Sequence, residues 1–481
     1  MFGLGGSSFF EAISSHARAS PAKAAVVAAE SLSYRALEDR VVDAHRRLSA
    51  AGLEPSSIAG ISIADEVEHF VATLGLLRLG CRQITLATFD SEELRQKLSS
   101  RVGVTHVLTL DANSPGDSWV VTRRADRPAP PSAFDDSTRE GSIFLKTSGT
   151  TGDVNIVEFS QAQLAAQAAR HAEYADERLL RLAAIEHNNS KRHRLYCVYA
   201  GGTNVFRFDT QLGVPAFCAR QDVTCLDISR LHAADLIEQA AHSPSVPLLG
   251  NIRLRTGGSA VPGALRKELQ SLVTPALFVR YAATECGAIA MAGPLDHTEE
   301  DAVGVPLPGV TVEIVDDKQR RISDGEVGEI RLRAEGMASG YAGNAADTEK
   351  RFRDGWFYPG DVGSLSEAGV LFVRGRKDDM MILNGLNIFP AELERALESH
   401  PAVRAAAALA IPSRVHGQIP VAAVELAQEG SASVAELQRF AREHLALRAP
   451  RKIIILPALP RNPQGKLMRR ELAKLFEVKP N

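Results

Sequence analysis

Lys466 stands in a framed loop, Leu459-Pro460-Arg461-Asn462-Pro463-Gln464-Gly465-Lys466-Leu467. Two prolines preset φ and a glycine opens unusual φ, so the loop is built to aim a cation. A solvated lysine needs no such framing, because its flexible stem reaches where it likes. Taken alone, the segment also reads as a surface turn before a helix over 468–476. A second stretch, Lys146-Thr147-Ser148-Gly149-Thr150-Thr151-Gly152, follows the apolar Ile143-Phe144-Leu145. Its glycines let backbone approach a phosphate, and its hydroxyls and turn amides can donate to phosphate oxygens. Hydroxyl-rich glycine loops occur as plain turns too, and both readings stand at this point. Cys286 lies beside Glu285, but with no placed histidine partner it reads as a buried thiol rather than a nucleophile.

The elements that must position these groups follow from periodicity. Apolar residues recur at helical spacing over 10–17, 34–51 and 67–79, with β-like runs at 24–27, 58–63 and 106–110. This alternation predicts an α/β domain with a largely parallel sheet, continuing through 164–175, 203–206, 229–241 and 277–281. From 303 to 373, short strands (311–315, 329–332) alternate with Gly, Pro and Asp turns and predict a β-rich subdomain. After Gly375-Arg376-Lys377-Asp378-Asp379 come a helix (390–399), strands (404–410, 421–426), a helix (434–445) and a strand (452–456). They read as a small α+β domain on a charged hinge. The expected division is 1–376 and 377–481, with linker composition only at 125–132 and no internal repeat.

At 481 residues the chain is too long for one core. Its 45% hydrophobic and 23% charged residues are those of an ordinary globular protein. A formal net charge of −3 gives no global basic field directed at nucleic acid or membrane. Residues 1–10 lack a signal-peptide pattern, and no apolar run reaches the length of a membrane span. The five cysteines (Cys81, Cys197, Cys218, Cys225, Cys286) are scattered and show no CxxC spacing, as in reduced cytoplasmic proteins.

Thr147 to Gly152 resembles the signature phosphate loop of the acyl-adenylate-forming enzymes: acyl-CoA synthetases, luciferases and peptide-synthetase adenylation domains. The resemblance then runs in order through nearly the whole chain. Tyr281-Ala282-Ala283-Thr284-Glu285 is similar to the family's Tyr-Gly-x-Thr-Glu. It implies a tyrosine near adenine, a threonine at phosphate and Mg²⁺ on Glu285. Gly340-Tyr341 and Gly355-Trp356-Phe357-Tyr358-Pro359-Gly360-Asp361 resemble the next signatures, with Asp361 accepting from ribose hydroxyls. The segment 375–385, with Ile388-Phe389-Pro390-Ala391-Glu392, resembles the hinge signature. It implies Arg376 at ribose, Asp378 as pivot and Gly385 lining a pantetheine tunnel. Residues 460–466 match the signature of the adenylation lysine, Lys466.

The resemblance also places an acyl pocket. His187-Asn188 is similar to the family's His-Asn, with a helix-cap reading beside it; Gly257, Gly258 and Ala283 would line the floor. Lys191, Arg192, His193 and Arg194 stand where family members are usually apolar. Such a cluster is expected to be a solvated face. If one of them pointed inward, it would pair with a second anionic or polar group of the substrate. No aspartate stands where amino-acid-activating members anchor an α-amino group. Asn155 and Val154 replace the usual lysine and proline of the loop, and Ala282 a glycine; Lys146 is a candidate to compensate.

These features imply an ATP- and Mg²⁺-dependent ligase that activates a carboxylic acid to acyl-AMP and transfers it to CoA. A stand-alone enzyme loading a carrier-protein phosphopantetheine is the alternative, for which Arg442, Arg448, Arg451 and Lys452 form a candidate docking patch. A non-turnover nucleotide- or acyl-binding protein is the reading of another class, motivated by Asn155. The expected assembly is a monomer or homodimer.

Overall fold

The computed structural model describes residues 8–111, 119–124, 141–147, 154–243, 247–296, 301–383, 386–413, 417–461 and 467–476. Its first helix, Phe9–Ala19, starts at a capping box in which Ser8 and Glu11 satisfy each other's backbone amides. Helices Tyr34–Ala50 and Glu66–Leu79 begin on Ser33 and Asp65 side-chain caps, and Gly80 ends the latter in the left-handed region.

Two sheets carry the larger part of the chain. The smaller has six strands in the order Trp119–Arg123, His106–Leu110, Ile58–Ile61, Arg82–Thr85, Ser142–Lys146, Ile156–Ser160. Its inner four strands are parallel and both edges antiparallel. The larger sheet runs in parallel through Ala24–Val27, Thr203–Val205, Arg178–Arg181, Cys225–Ile228, Arg253–Gly257 and Leu277–Ala283. At Gly287–Ala292 it turns antiparallel and continues through Ala302–Pro306, Leu371–Arg376, Asp361–Leu365 and Gly328–Ala334. The β-rich stretch is thus a hydrogen-bonded continuation of the parallel sheet.

The C-terminal strands Val403–Ser413, Gly417–Leu426 and Lys452–Leu456 form a sheet of their own, covered by helices Pro390–Glu398 and Val434–Leu445. Their core includes Leu393, Leu397, Val424, Leu437 and Ile453. Ionic contacts tie this unit to the rest: Arg230 to Glu398 at 3.0 Å, and Arg395 to Asp301.

Three expectations change in detail. The helical run over 164–175 is two elements, Gln161–Ala169 and a 3₁₀ turn Ala172–Asp176, because Ser160 caps the first through Gln163. The last helix is Arg469–Lys474, and the linker-like 125–132 lies outside the described residues. The largest correction concerns 191–194. Lys191, Arg192, His193 and Arg194 are buried, at 1, 5, 3 and 0% exposure. Their helix, Asn188–Ala200, lies between the two sheets. It is tied to the half-buried Glu66 and to the carbonyls of Val205 and Thr284. Composition cannot reveal that position, because a polar helix ordinarily faces water.

Lys191 packs among Ile143, Leu145, Leu164 and Leu195. Its Nζ has no hydrogen-bond partner among the described residues, and burial brings the ammonium down to about 7. The unfolded chain keeps that proton up to the ordinary lysine range. Between about pH 7 and 10 it therefore binds more protons than the fold, and stability rises with pH across that window. Lys191→Met is expected to stabilise the protein at pH 7, by about 1–3 kcal/mol, and to remove that rise. Chemical denaturation at pH 7 and 9 checks both; a destabilised variant refutes the assignment.

Glu177, buried just before strand Arg178–Arg181, accepts from Arg255 through both carboxylate oxygens and meets Arg253 at 3.1 Å. Glu177→Gln keeps the shape and leaves the buried Arg255 only the more distant Glu173, at 3.6 Å, so a loss of about 3 kcal/mol is expected in the same assay. No helix of the described residues is long and apolar enough to cross a membrane, and all five cysteines are buried and free.

Candidate active site

The antiparallel turn of the larger sheet brings Tyr281, Ala283, Thr284, Glu285, Asp361 and Arg376 of the sequence-predicted residues into one region. Tyr281 and Ala283 lie on strand Leu277–Ala283, with Thr284 and Glu285 in the turn that follows. Asp361 and Arg376 face each other on the paired strands Asp361–Leu365 and Leu371–Arg376. The Tyr281 hydroxyl donates to Asp361 Oδ2, while Arg376 Nη1 donates to Asp361 Oδ1 at 3.2 Å and to the Pro359 carbonyl at 2.6 Å. Asp361 is thus fixed from both sides and nearly buried. Burial, then the Asp361 carboxylate, raises the Tyr281 hydroxyl well above its ordinary value, so it remains a donor.

Glu285 is held in the same manner by a residue whose role the sequence reading left open. The Tyr341 hydroxyl donates to Glu285 Oε1 at 2.7 Å. Burial first, and Glu285 second, raise that hydroxyl above its ordinary value. The motif Gly340-Tyr341 pointed to Tyr341 without saying what its ring would do. Tyr341→Phe is expected to lower nucleotide-dependent turnover about tenfold, the worth of one hydrogen bond to a charged group, with little change in melting temperature. No group of three or more His, Cys, Asp or Glu side chains with metal-binding geometry occurs among the described residues. A single carboxylate does fit Mg²⁺, which takes one or two carboxylates and completes its shell with substrate phosphates and water.

Strands Ser142–Lys146 and Ile156–Ser160 are antiparallel neighbours, and Thr147 N–H donates to the Asn155 carbonyl at 2.7 Å across the loop's base. Ser148, Gly149, Thr150, Thr151 and Gly152 lie outside the described residues, as do Gly385 and Lys466. Asn155 is engaged sideways: its Nδ2 donates to Asp347 Oδ2 at 2.7 Å, and Asn344 donates to its Oδ1 at 2.8 Å. Lys146, the candidate to compensate for the missing lysine, is ion-paired with Asp90.

His187 is the N-cap residue of Asn188–Ala200, but its side chain makes no cap hydrogen bond. The ring packs on Phe89 at 4.8 Å, and burial, then Lys146, lower its basicity toward the neutral form. Asn188 donates to the Lys146 carbonyl at 2.5 Å, so it ties the helix to the loop's strand rather than capping. At Gly257 a Cβ would fall 2.5 Å from the Arg280 carbonyl on the paired strand, so only glycine permits this approach. Gly258, at φ +84°, opens onto free space. Asp378, the expected pivot, is bound by Arg351 at 2.8 Å; burial opposes its ionisation, and Arg351 outweighs burial to hold it below the ordinary value. Cys286 is buried, and burial pushes its thiol up to about 12, which removes it as a nucleophile.

Two family models match this chain: AMP-binding enzyme over residues 13–342, and AMP-binding enzyme C-terminal domain over residues 392–466. The chain belongs to the AMP-binding enzyme family. It is 35% identical over 223 residues to 2-succinylbenzoate–CoA ligase of Geobacillus kaustophilus (strain HTA426). That match covers 46% of this chain and 45% of the relative. It is 31% identical over 280 residues to fatty acid–[acyl-carrier-protein] ligase ScoC of Streptomyces coeruleorubidus, across 56% of this chain and 54% of the relative. The chain thus matches about half the length of each of these two relatives. The fold is that of o-succinylbenzoate CoA synthetase (MenE) from Bacillus subtilis, solved with its acyl-adenylate intermediate. The TM-score is 0.82 at 24% identity, covering 96% of this chain and 97% of that one.

Proposed function

We propose that this AMP-binding enzyme is an AMP-forming acid–thiol ligase. It would activate a carboxylic acid to acyl-AMP with release of pyrophosphate, then transfer the acyl group to the thiol of CoA. The observation that carries this reading is the pair of braced carboxylates: Asp361 between Tyr281 and Arg376, and Glu285 under Tyr341.

In the first step a carboxylate oxygen attacks the α-phosphorus of ATP and the bond to pyrophosphate breaks. Both reactants are anionic, so the protein's work is positioning and charge neutralisation. Asp361 accepts from the ribose hydroxyls, with Arg376 beside it, and the Tyr281 ring lies against the base. Thr147 to Gly152 donate to phosphate oxygens, Thr284 stands by the phosphate, and Lys466 supplies a cation at the reacting centre. Glu285 would hold Mg²⁺, which when bound neutralises phosphate oxygens. In the second step the thiol sulfur attacks the acyl carbon and AMP leaves. Lys466 is not needed there, so the unit 377–481 turns about Asp378 and brings Gly385 to the pantetheine path. His187, Asn188, Gly257, Gly258 and Ala283 border the acid.

Asn155, engaged by the Asp347 carboxylate and by Asn344, carries no charge where a lysine would add one, so ATP binding is expected to be weak rather than absent. A carrier protein as thiol donor is the second reading. The relative ScoC is named for one, and Arg442 and Arg451 flank a surface depression of about 390 Å³ beside the exposed Leu447. Arg448, by contrast, is paired with Glu392. The test is AMP release from ATP with a panel of acids, with CoA or a phosphopantetheinylated carrier as acceptor. Acid- and CoA-dependent AMP supports the ligase, and carrier-dependent AMP supports the second reading. Nucleotide binding with no AMP from any acid leaves only a binding protein.

A further inference from the structure

The buried basic helix brings a guanidinium without a carboxylate partner among the described residues to the Thr284 backbone, beside Glu285. Arg192 reaches across to Thr284, where its Nη1 donates to the backbone carbonyl at 2.8 Å, and its guanidinium lies 5.5 Å from the Phe159 ring. Its remaining contact is a long one, 3.4 Å, to Gln167 Oε1. Its Nε is buried without a hydrogen-bond partner, and no carboxylate among the described residues lies within ion-pair distance. Arg170 stands on the same side, donating to the Cys286 carbonyl at 2.8 Å, with its Nε and Nη1 equally unpartnered. Glu335 acts on Arg170 only from beyond ion-pair distance.

One layer further in, Asp227 is the one carboxylate among the described residues within ion-pair distance of both Arg181 and Arg280. Its Oδ1 and Arg181 Nε are also unpartnered. His193, between the Tyr174 hydroxyl at 2.7 Å and Arg280 at 3.2 Å, adds no negative charge to offset them. Arg255 shows what a finished pair looks like in this interior, with both oxygens of Glu177 on its guanidinium and Glu173 at 3.6 Å. A buried cation without a counter-ion is strongly disfavoured. The cost is accepted where a ligand brings the missing charge.

We infer that the acid activated at this site carries a second anionic group, a carboxylate or its equivalent, and that Arg192 binds it. The inference deepens the ligase reading and rests on it for the identity of the reacting end. Arg192 is held at Thr284, next to Glu285, so the second group lies close to the reacting carboxylate and the acid is short. Arg170 and Arg280 reinforce the positive field without contacting the acid. A long alkyl chain would have to lie along guanidinium groups and leave them unpaired, which selects against fatty acids.

The test compares succinate and glutarate with their monomethyl esters, which keep length and remove one charge. ATP–pyrophosphate exchange reads activation, and the ligand-induced shift in melting temperature reads binding without turnover. The wild type is expected to favour each diacid by about 100-fold in kcat/KM, mainly through KM. Arg192→Leu should collapse that ratio, and Arg192→Lys should restore part of it. A ratio near one in the wild type overturns the inference. So does an equal loss for diacid and ester in Arg192→Leu, which would place Arg192 at the reacting carboxylate. Thermal stabilisation by diacids alone, without exchange, upholds the inference and refutes the ligase reading. Exchange with the esters as good as with the diacids does the reverse.

Discussion

Lys466→Ala is expected to lower acid-dependent ATP–pyrophosphate exchange by about 100- to 1000-fold, while thioester formation from a supplied acyl-adenylate stays within a few-fold of the wild type. The first step brings two anions together, and a preorganised cation there stabilises charge that develops only in the transition state. The second step has no such demand: AMP is the leaving group and the thiol attacks a neutral acyl carbon. The two prolines and the glycine of Pro460 to Gly465 are expected from the sequence to aim that flexible side chain. Separate rate measurements of the two half-reactions check this. Equal losses in both would mean that Lys466 serves overall structure, and the two-conformation account would fall.

Glu285→Gln is the second large effect. The amide is isosteric and keeps an acceptor for the Tyr341 hydroxyl, so the fold at the strand turn should survive. What disappears is the one negative charge proposed to hold Mg²⁺ at the phosphates. Exchange is expected to fall by about 100-fold or more, with a higher Mg²⁺ concentration needed for half-maximal rate. Titration of Mg²⁺ in wild type and variant separates this from simple loss of folding. Unchanged Mg²⁺ dependence would remove Glu285 from the metal site.

The fold was legible wherever periodicity was clean. Strands Ala24–Val27, His106–Leu110 and Lys452–Leu456 and helix Val434–Leu445 fall where their apolar spacing places them. The continuity of the β-rich stretch with the parallel sheet was not legible, because strand pairing is set by tertiary register rather than local pattern. At the site, Glu285, Asp361 and Arg376 were named from motifs, and the structure brings Asp361 and Arg376 into one ion pair. Tyr341 as the brace on Glu285 was missed, since a tyrosine beside a glycine carries no signal of what its hydroxyl reaches.

The helix Asn188–Ala200 reversed the ordinary inference from composition. Four consecutive basic residues read as a solvated face. Arg192 and Arg194 are held inside by the Thr284 and Val205 carbonyls and by Glu66, none of them within ten residues in sequence, whereas Lys191 has no hydrogen-bond partner among the described residues.

The central claim is that the acid's carboxylate becomes bonded to the α-phosphorus of ATP. The most direct measurement is turnover of an acid labelled with ¹⁸O in its carboxyl group, followed by mass analysis of the products. One labelled oxygen transferred to AMP, with none in pyrophosphate, is the predicted result, because the acyl carbon–oxygen bond breaks when the thiol attacks. Label in ADP or inorganic phosphate, or AMP free of label, would contradict the account.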